Sequence, residues 1–189
     1  MIRFEPTPPP EGFEERVGVR GRRWLEGHPQ GRPPDYWSEF APALQEAFKD
    51  LCAYSAMYLP KGTVDHFVSC SEDRTRAYDW SNYRLAADWL NASKQNLRSE
   101  ELLDPFQVMD GWFEVILPSL QLVLTDKVPE ELRARAEHML VRLHLGHDER
   151  VIRQRRGWLK MYEEGKLTLD GLADVAPLIA DAVRRRGAG

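Results

Sequence analysis

The segment TVDHFVSCSEDRTRAYDWSNYRLAADWLNASKQNLR, residues 63–98, holds the most informative pattern in the chain. Thr63 to Val68 is rich in β-branched and aromatic residues and follows the turn signal Pro60-Lys61-Gly62, so it predicts a strand. The polar run Ser69 to Arg76 predicts a loop. It leads through Tyr78-Asp79-Trp80-Ser81-Asn82 to a short second strand over Tyr83 to Ala86. Asp88 is suited to cap a helix running from Trp89 to about Leu97. The order is strand, loop, strand, helix. Adjacent strand residues point to opposite faces, so Asp65 and His66 can converge only where the first strand ends or kinks.

On the N-terminal side, residues 1–36 are rich in Pro, Gly and Arg and poor in hydrophobic periodicity. They predict an extended arm with Phe4, Phe13 and Trp24 as anchors. Phe40, Leu44, Ala47, Phe48 and Leu51 then repeat at helical spacing, with Ser38 as N-cap and Pro42 in the first turn. On the C-terminal side, Gly111 to Leu117 and Leu120 to Leu124 predict a hairpin across Pro118-Ser119. Pro129, Glu130 and Glu131 open a helix whose stripe is Leu132, Ala136, Met139, Leu140 and Leu143, ended by Gly146. Asp148 caps another, with stripe Val151, Ile152, Arg155, Trp158, Leu159 and Tyr162, closed by Gly165. Thr168 to Val183 predicts a last helix. The expected class is α+β: an arm over 1–36, a strand–strand–helix core with its following hairpin over 37–125, and a helical part over 126–189 packed on that core.

With 42% hydrophobic and 30% charged residues, the chain has the composition of a globular domain, neither disordered nor membrane-spanning. The first residues lack the apolar run of a secretory signal, so a cytoplasmic location is expected. Two cysteines, Cys52 and Cys70, are too few for a disulfide framework or a four-thiolate zinc site. The net charge of −4 advertises no polyanion partner. Arginines are nevertheless grouped near the N-terminus, around residues 74–98, and at Arg153, Arg155 and Arg156, which read as a solvated helix face.

Four short stretches, Cys52-Ala53-Tyr54-Ser55, Val64-Asp65-His66-Phe67, Asp79-Trp80-Ser81-Asn82-Tyr83-Arg84-Leu85-Ala86 and Asn91-Ala92-Ser93-Lys94, together resemble the HNH (ββα-metal) endonuclease signature. The subgroup most similar includes bacterial defence nucleases of the Septu and retron-associated kind. Asp104-Pro105-Phe106, Gly111-Trp112-Phe113 and the stretch Leu143 to Arg153 resemble that subgroup's tail, so the likeness covers roughly residues 37–160. The resemblance implies a ββα-metal core that hydrolyses phosphodiester bonds in DNA, or in RNA. It implies that Asp65 and Asn91 hold one Mg²⁺ or Mn²⁺, a hard cation that takes oxygen ligands. His66 becomes the general base, for which an imidazole with a pKa of about 6.5 is suited. Asn82 holds His66, or the loop behind it. Lys94, Arg84 and Arg98 become phosphate contacts. The Septu likeness also implies an activating protein partner such as an ATPase.

The chain departs from that pattern where zinc-bearing members carry two Cys-x-x-Cys pairs. Ser55, Ala87 and Leu90 stand at three of the four thiolate positions, so no structural zinc is expected and packing of Tyr54, Trp80 and Trp89 takes its place. The alternative reading is a catalytically inactive HNH-like scaffold that binds protein or nucleic acid.

Overall fold

The computed structural model describes residues 1–94 and 97–187. Strand β1 (Thr63–His66) pairs antiparallel with β2 (Tyr83–Ala86), in the register Thr63↔Ala86, Val64↔Leu85, Asp65↔Arg84 and His66↔Tyr83. Because facing residues of a pair share a face, Asp65 and Arg84 project to one side of this hairpin and His66 and Tyr83 to the other. A helix of one and a half to two turns follows β2 directly (Asp88–Lys94) and is packed against β1. The expected extension of this helix toward Leu97 runs through Gln95 and Asn96, which lie outside the described residues. A second antiparallel hairpin, β3 (Phe113–Ile116) and β4 (Gln121–Leu124), forms around Pro118-Ser119. The class is α+β, with two small antiparallel hairpins set among helices.

The arm is not simply extended. A π-helical stretch (Glu14–Val19) continues into α1 (Arg20–Gly27). Its buried residues are Val17, Gly18 and Gly21, so its inner face is nearly flat. A Cβ at Gly21 would stand 2.1 Å from the Tyr78 ring, which is why glycine is needed at that crossing. Met1, Phe4 and Phe13 are buried ahead of the helix, while Trp24 is only half-buried and stacks on His28 at 4.4 Å.

Next comes a 3-10 turn (Ser38–Phe40) followed by α2 (Ala41–Ala47), with Pro42 in its first turn. The cap is supplied by Asp35, whose carboxylate accepts from the Ser38 amide at 2.9 Å and the Ser38 hydroxyl at 2.6 Å; Ser38 itself was the expected cap. The helix stops at Ala47 because Lys49 and Asp50 turn to positive φ, short of the expected Leu51. The helix Asp88–Lys94 is α3.

Three further expectations need correction. Helix α4 (Glu130–Arg142) ends where His144 adopts φ 53°, so it stops before Gly146. Helix α5 (Glu149–Glu163) has Asp148 as its cap and Gly165 at φ 69° beyond its end, as expected. Arg155 on α5 does not belong to a solvated face. It is 1% exposed and donates to the carbonyls of Leu120, Leu145 and Gly146 at 2.7–3.1 Å, tying the second hairpin to the α4–α5 turn. Burial pushes its guanidinium down to about 10. The last predicted helix is two: α6 (Leu169–Val175) and α7 (Pro177–Gly187), broken where Pro177 cannot continue the hydrogen-bond ladder. One hydrophobic core joins Phe4 and Phe13 of the arm to Leu85 of β2, Phe113 of β3 and Ile179 of α7.

Candidate active site

Hairpin β1–β2 and helix α3 meet at one cleft of about 370 Å³, bordered by Asp65, His66, Asn91 and Lys94 on one side and by Arg32, Asp35 and Trp37 of the N-terminal segment on the other. Asp65 and His66 leave β1 toward opposite faces, yet both border this cleft because β1 ends at His66.

The ring of His66 is fixed on three sides. Its Nε2 is 2.8 Å from the Ala77 carbonyl. A carbonyl only accepts, so Nε2 carries the proton and Nδ1 keeps its lone pair in the neutral ring. Trp37 and Tyr83 meet the ring edge-on, with centroids 4.5 and 5.0 Å away. This burial holds the imidazole below its ordinary value, outweighing the opposite pull of the Ala77 bond and of Asp65.

Asn82 is buried and uses its whole amide to clamp the loop between the strands. Its Oδ1 accepts from the Val68 amide at 2.8 Å, and its Nδ2 donates to the carbonyls of Val68 and Arg76, both at 3.0 Å. Arg76 is next to Ala77, so the same clamp fixes the carbonyl that holds His66. Tyr83 adds a second bond to that carbonyl, from its hydroxyl at 2.9 Å.

Asp65 is buried and heavily engaged. Lys94 Nζ donates to both its oxygens, at 2.9 and 2.8 Å, and to the His66 carbonyl at 2.6 Å. The Tyr54 hydroxyl donates to Oδ2 at 2.5 Å. Burial pulls the Lys94 ammonium below its usual value even with Asp65 beside it, and burial raises the Tyr54 phenol. Asn91, one turn before Lys94 on α3, borders the cleft, and its side chain has no hydrogen-bond partner among the described residues.

The three expected phosphate contacts separate. Lys94 is 4% exposed on its side chain and is spent on Asp65. Arg84 is removed from the site altogether. It forms a two-bond ion pair with Asp104 at 2.8 and 2.7 Å, donates to the carbonyls of Ser81 and Tyr83, and lies 3.7 Å from the centroid of the Phe106 ring. With those donors engaged, the Arg84 side chain is structural. Arg98 remains open, with a side chain 64% exposed and a surface pairing to Glu100.

Two features escaped the sequence reading. Tyr54 belongs to the carboxylate's hydrogen-bond shell as well as to the core. Arg32, Asp35 and Trp37 complete the cleft wall; their only signal in the sequence is an arm long enough to reach it. Of the residues expected to replace a zinc knuckle by packing, Tyr54 and Trp80 are buried, and Trp89 lies under the Arg150 guanidinium at 4.3 Å. Cys52 and Cys70 are free thiols.

The oxygen-bearing side chains bordering the cleft are Asp35, whose carboxylate is engaged by Ser38, the hydroxyls of Ser69 and Ser71, the Asp65 carboxylate and the Asn91 amide; the last two are the donor types a small hard cation that retains waters takes. No cluster of three or more His, Cys, Asp or Glu side chains that could hold a metal occurs among the described residues. No helix among them is long and apolar enough to cross a membrane. No protein-family model matches the sequence, and no curated protein matches it significantly.

Proposed function

We propose that this chain is a metal-dependent phosphodiesterase of the HNH (ββα-metal) type acting on DNA. The observation that carries the proposal is the His66–Ala77 bond at 2.8 Å. It leaves a neutral imidazole with Nδ1 as the unprotonated nitrogen, and His66 borders a cleft also lined by the Asp65 carboxylate, held by Lys94 and Tyr54, and by the Asn91 amide. An unprotonated ring nitrogen on such a residue suits a general base.

The contacts support the following roles. His66 Nδ1 takes the proton from a water that attacks phosphorus; a P–O bond forms and the bond to the leaving oxygen breaks. Burial keeps the ring uncharged near neutral pH, and the Ala77 carbonyl steadies the imidazolium as it forms. Asn82 and Tyr83 hold that carbonyl in place. Asp65 and Asn91 would hold Mg²⁺ or Mn²⁺, which supplies Lewis-acid stabilisation of the phosphate and of the departing oxygen when bound. Arg98 and Arg32 offer exposed cations to the backbone of a nucleic acid. Residence in the cytoplasm, service in bacterial defence, RNA as a substrate and activation by an ATPase partner extend the same proposal through the Septu resemblance.

A second reading, a scaffold that binds without cutting, draws on the engagement of Asp65 by Lys94 and Tyr54. Plasmid DNA incubated with the protein and Mg²⁺ or Mn²⁺, beside His66→Ala, separates the two. Nicking or cleavage lost in His66→Ala supports the nuclease. Equal activity in both proteins, or none with any metal or partner, rejects it.

A further inference from the structure

Lys94 sits where a metal ligand's charge should be free. Its ammonium has three protons, and the structure gives each an acceptor: two on Asp65 and one on the His66 carbonyl. With Tyr54 on Oδ2, three of the roughly four lone-pair positions of the carboxylate are taken. Both side chains of the pair are almost wholly buried, at 4% and 3% exposure. The single negative charge of Asp65 is therefore already balanced. Arg84 is paired with Asp65 in the strand register, but its guanidinium is engaged by Asp104 and by the carbonyls of Ser81 and Tyr83. A divalent cation brought to Asp65 alone would meet an ammonium on the same oxygens, in surroundings that screen repulsion poorly.

We propose that Lys94 is a built-in competitor for the cation at Asp65, drawn off the carboxylate only when the anionic phosphate of a nucleic acid enters the cleft, so that metal and substrate load together. The proposal rests on the phosphodiesterase reading and adds an order of assembly to it. The geometry favours such a movement. Lys94 is one helical turn from Asn91 and borders the same cleft, and its flexible stem carries a point charge that can exchange a carboxylate for a phosphate. The phosphate supplies the negative charge that Asp65 alone lacks.

The test is Mn²⁺ titration calorimetry on the full chain, with His66→Ala as the parent so that nothing turns over. Lys94→Met, which keeps the length and removes the charge, is added to that parent, and Asp65→Asn serves as the site control. Each is titrated alone and with short DNA and RNA oligonucleotides. The expected result is Mn²⁺ binding at least tenfold tighter in Lys94→Met than in the parent when no oligonucleotide is present. An oligonucleotide should tighten the parent at least tenfold and Lys94→Met less than threefold. Tight Asp65-dependent binding that is the same with and without Lys94 and oligonucleotide would overturn the competitor role and leave the metal site standing. Absence of any Asp65-dependent binding under all conditions would overturn both. Should Lys94→Met fail to fold, the parent's response to oligonucleotide decides the matter: no tightening with either nucleic acid overturns the proposal.

Discussion

His66 Nε2 and the carbonyl oxygen of Ala77 lie 2.8 Å apart, joining the end of β1 to the far end of the loop it starts. The bond selects the tautomer, and the clamp by Asn82 keeps the acceptor still. On the proposed function, removing the ring removes the base, while the Ala77 carbonyl keeps its bond from the Tyr83 hydroxyl and so holds the loop. His66→Ala should therefore lower the cleavage rate by about 10²- to 10⁴-fold, the usual contribution of a general base. Circular dichroism should remain that of the wild type. A rate within threefold of wild type would assign the base elsewhere.

The direction of the His66 shift sets the pH profile. Burial lowers the imidazole below its ordinary value, so the neutral, proton-accepting form persists to lower pH than a free histidine allows. Activity should be on its plateau at pH 7 and fall only below about 6.5. The same sign applies to stability. The unfolded chain binds this proton more readily, so the contribution of His66 is complete above the unfolded value and is lost as pH falls through the folded one. A rate profile whose acid limb is centred above 7 would contradict the assignment.

Asn82 should matter for folding as much as for turnover. Asn82→Ala leaves the Val68 amide and carbonyl without this partner, while the Arg76 carbonyl keeps the Asp79 amide. Part-buried backbone groups left in that state make a loss of about 2 kcal/mol the expected outcome in urea denaturation. A loss below about 1 kcal/mol would mean that the loop is held by other contacts.

Arg84 and Arg98 should behave oppositely. Arg84→Met breaks a buried pair and strands Asp104, which should destabilise the fold by about 3–5 kcal/mol. Arg98→Ala should leave stability within about 0.5 kcal/mol and instead weaken nucleic-acid binding, reducing its salt slope by about one ion. Binding isotherms at several salt concentrations, paired with melting curves, distinguish the two. A stable Arg84→Met with a reduced salt slope would return Arg84 to the nucleic-acid interface.

The arm can be probed through Gly21. A methyl group there would meet the Tyr78 ring at 2.1 Å, so Gly21→Ala should destabilise by about 1–3 kcal/mol despite its better helix propensity. Thermal melting checks this directly. A stabilised variant would show that the helix does not press on Tyr78.

Much of this is legible in the chain because β1, β2 and α3 are close in sequence and carry local signals: a turn at Pro60-Lys61-Gly62, β-branched residues, and Asp88 in the first turn of a helix. The resemblance to the HNH signature is what groups Asp65, His66, Asn82 and Asn91. The arm helix was hidden because its buried face is Val17, Gly18 and Gly21, which carry almost no apolar periodicity. The burial of Arg84 and Lys94, expected as phosphate contacts, is not legible because their partners, Asp104 and Asp65, are 20 and 29 residues away in sequence. Arg155 looked like one of a row of solvated arginines, and only the fold brings the carbonyls of Leu120, Leu145 and Gly146 to it.

A crystal grown with Mn²⁺ and an uncleaved oligonucleotide is the decisive measurement for the proposed metal site. One anomalous peak is expected, shared by an Asp65 oxygen and the Asn91 amide oxygen, each within about 2.5 Å of the ion, with His66 Nδ1 facing the phosphate. An anomalous map that is featureless at Asp65, with Lys94 still seated on the carboxylate beside bound nucleic acid, would contradict it.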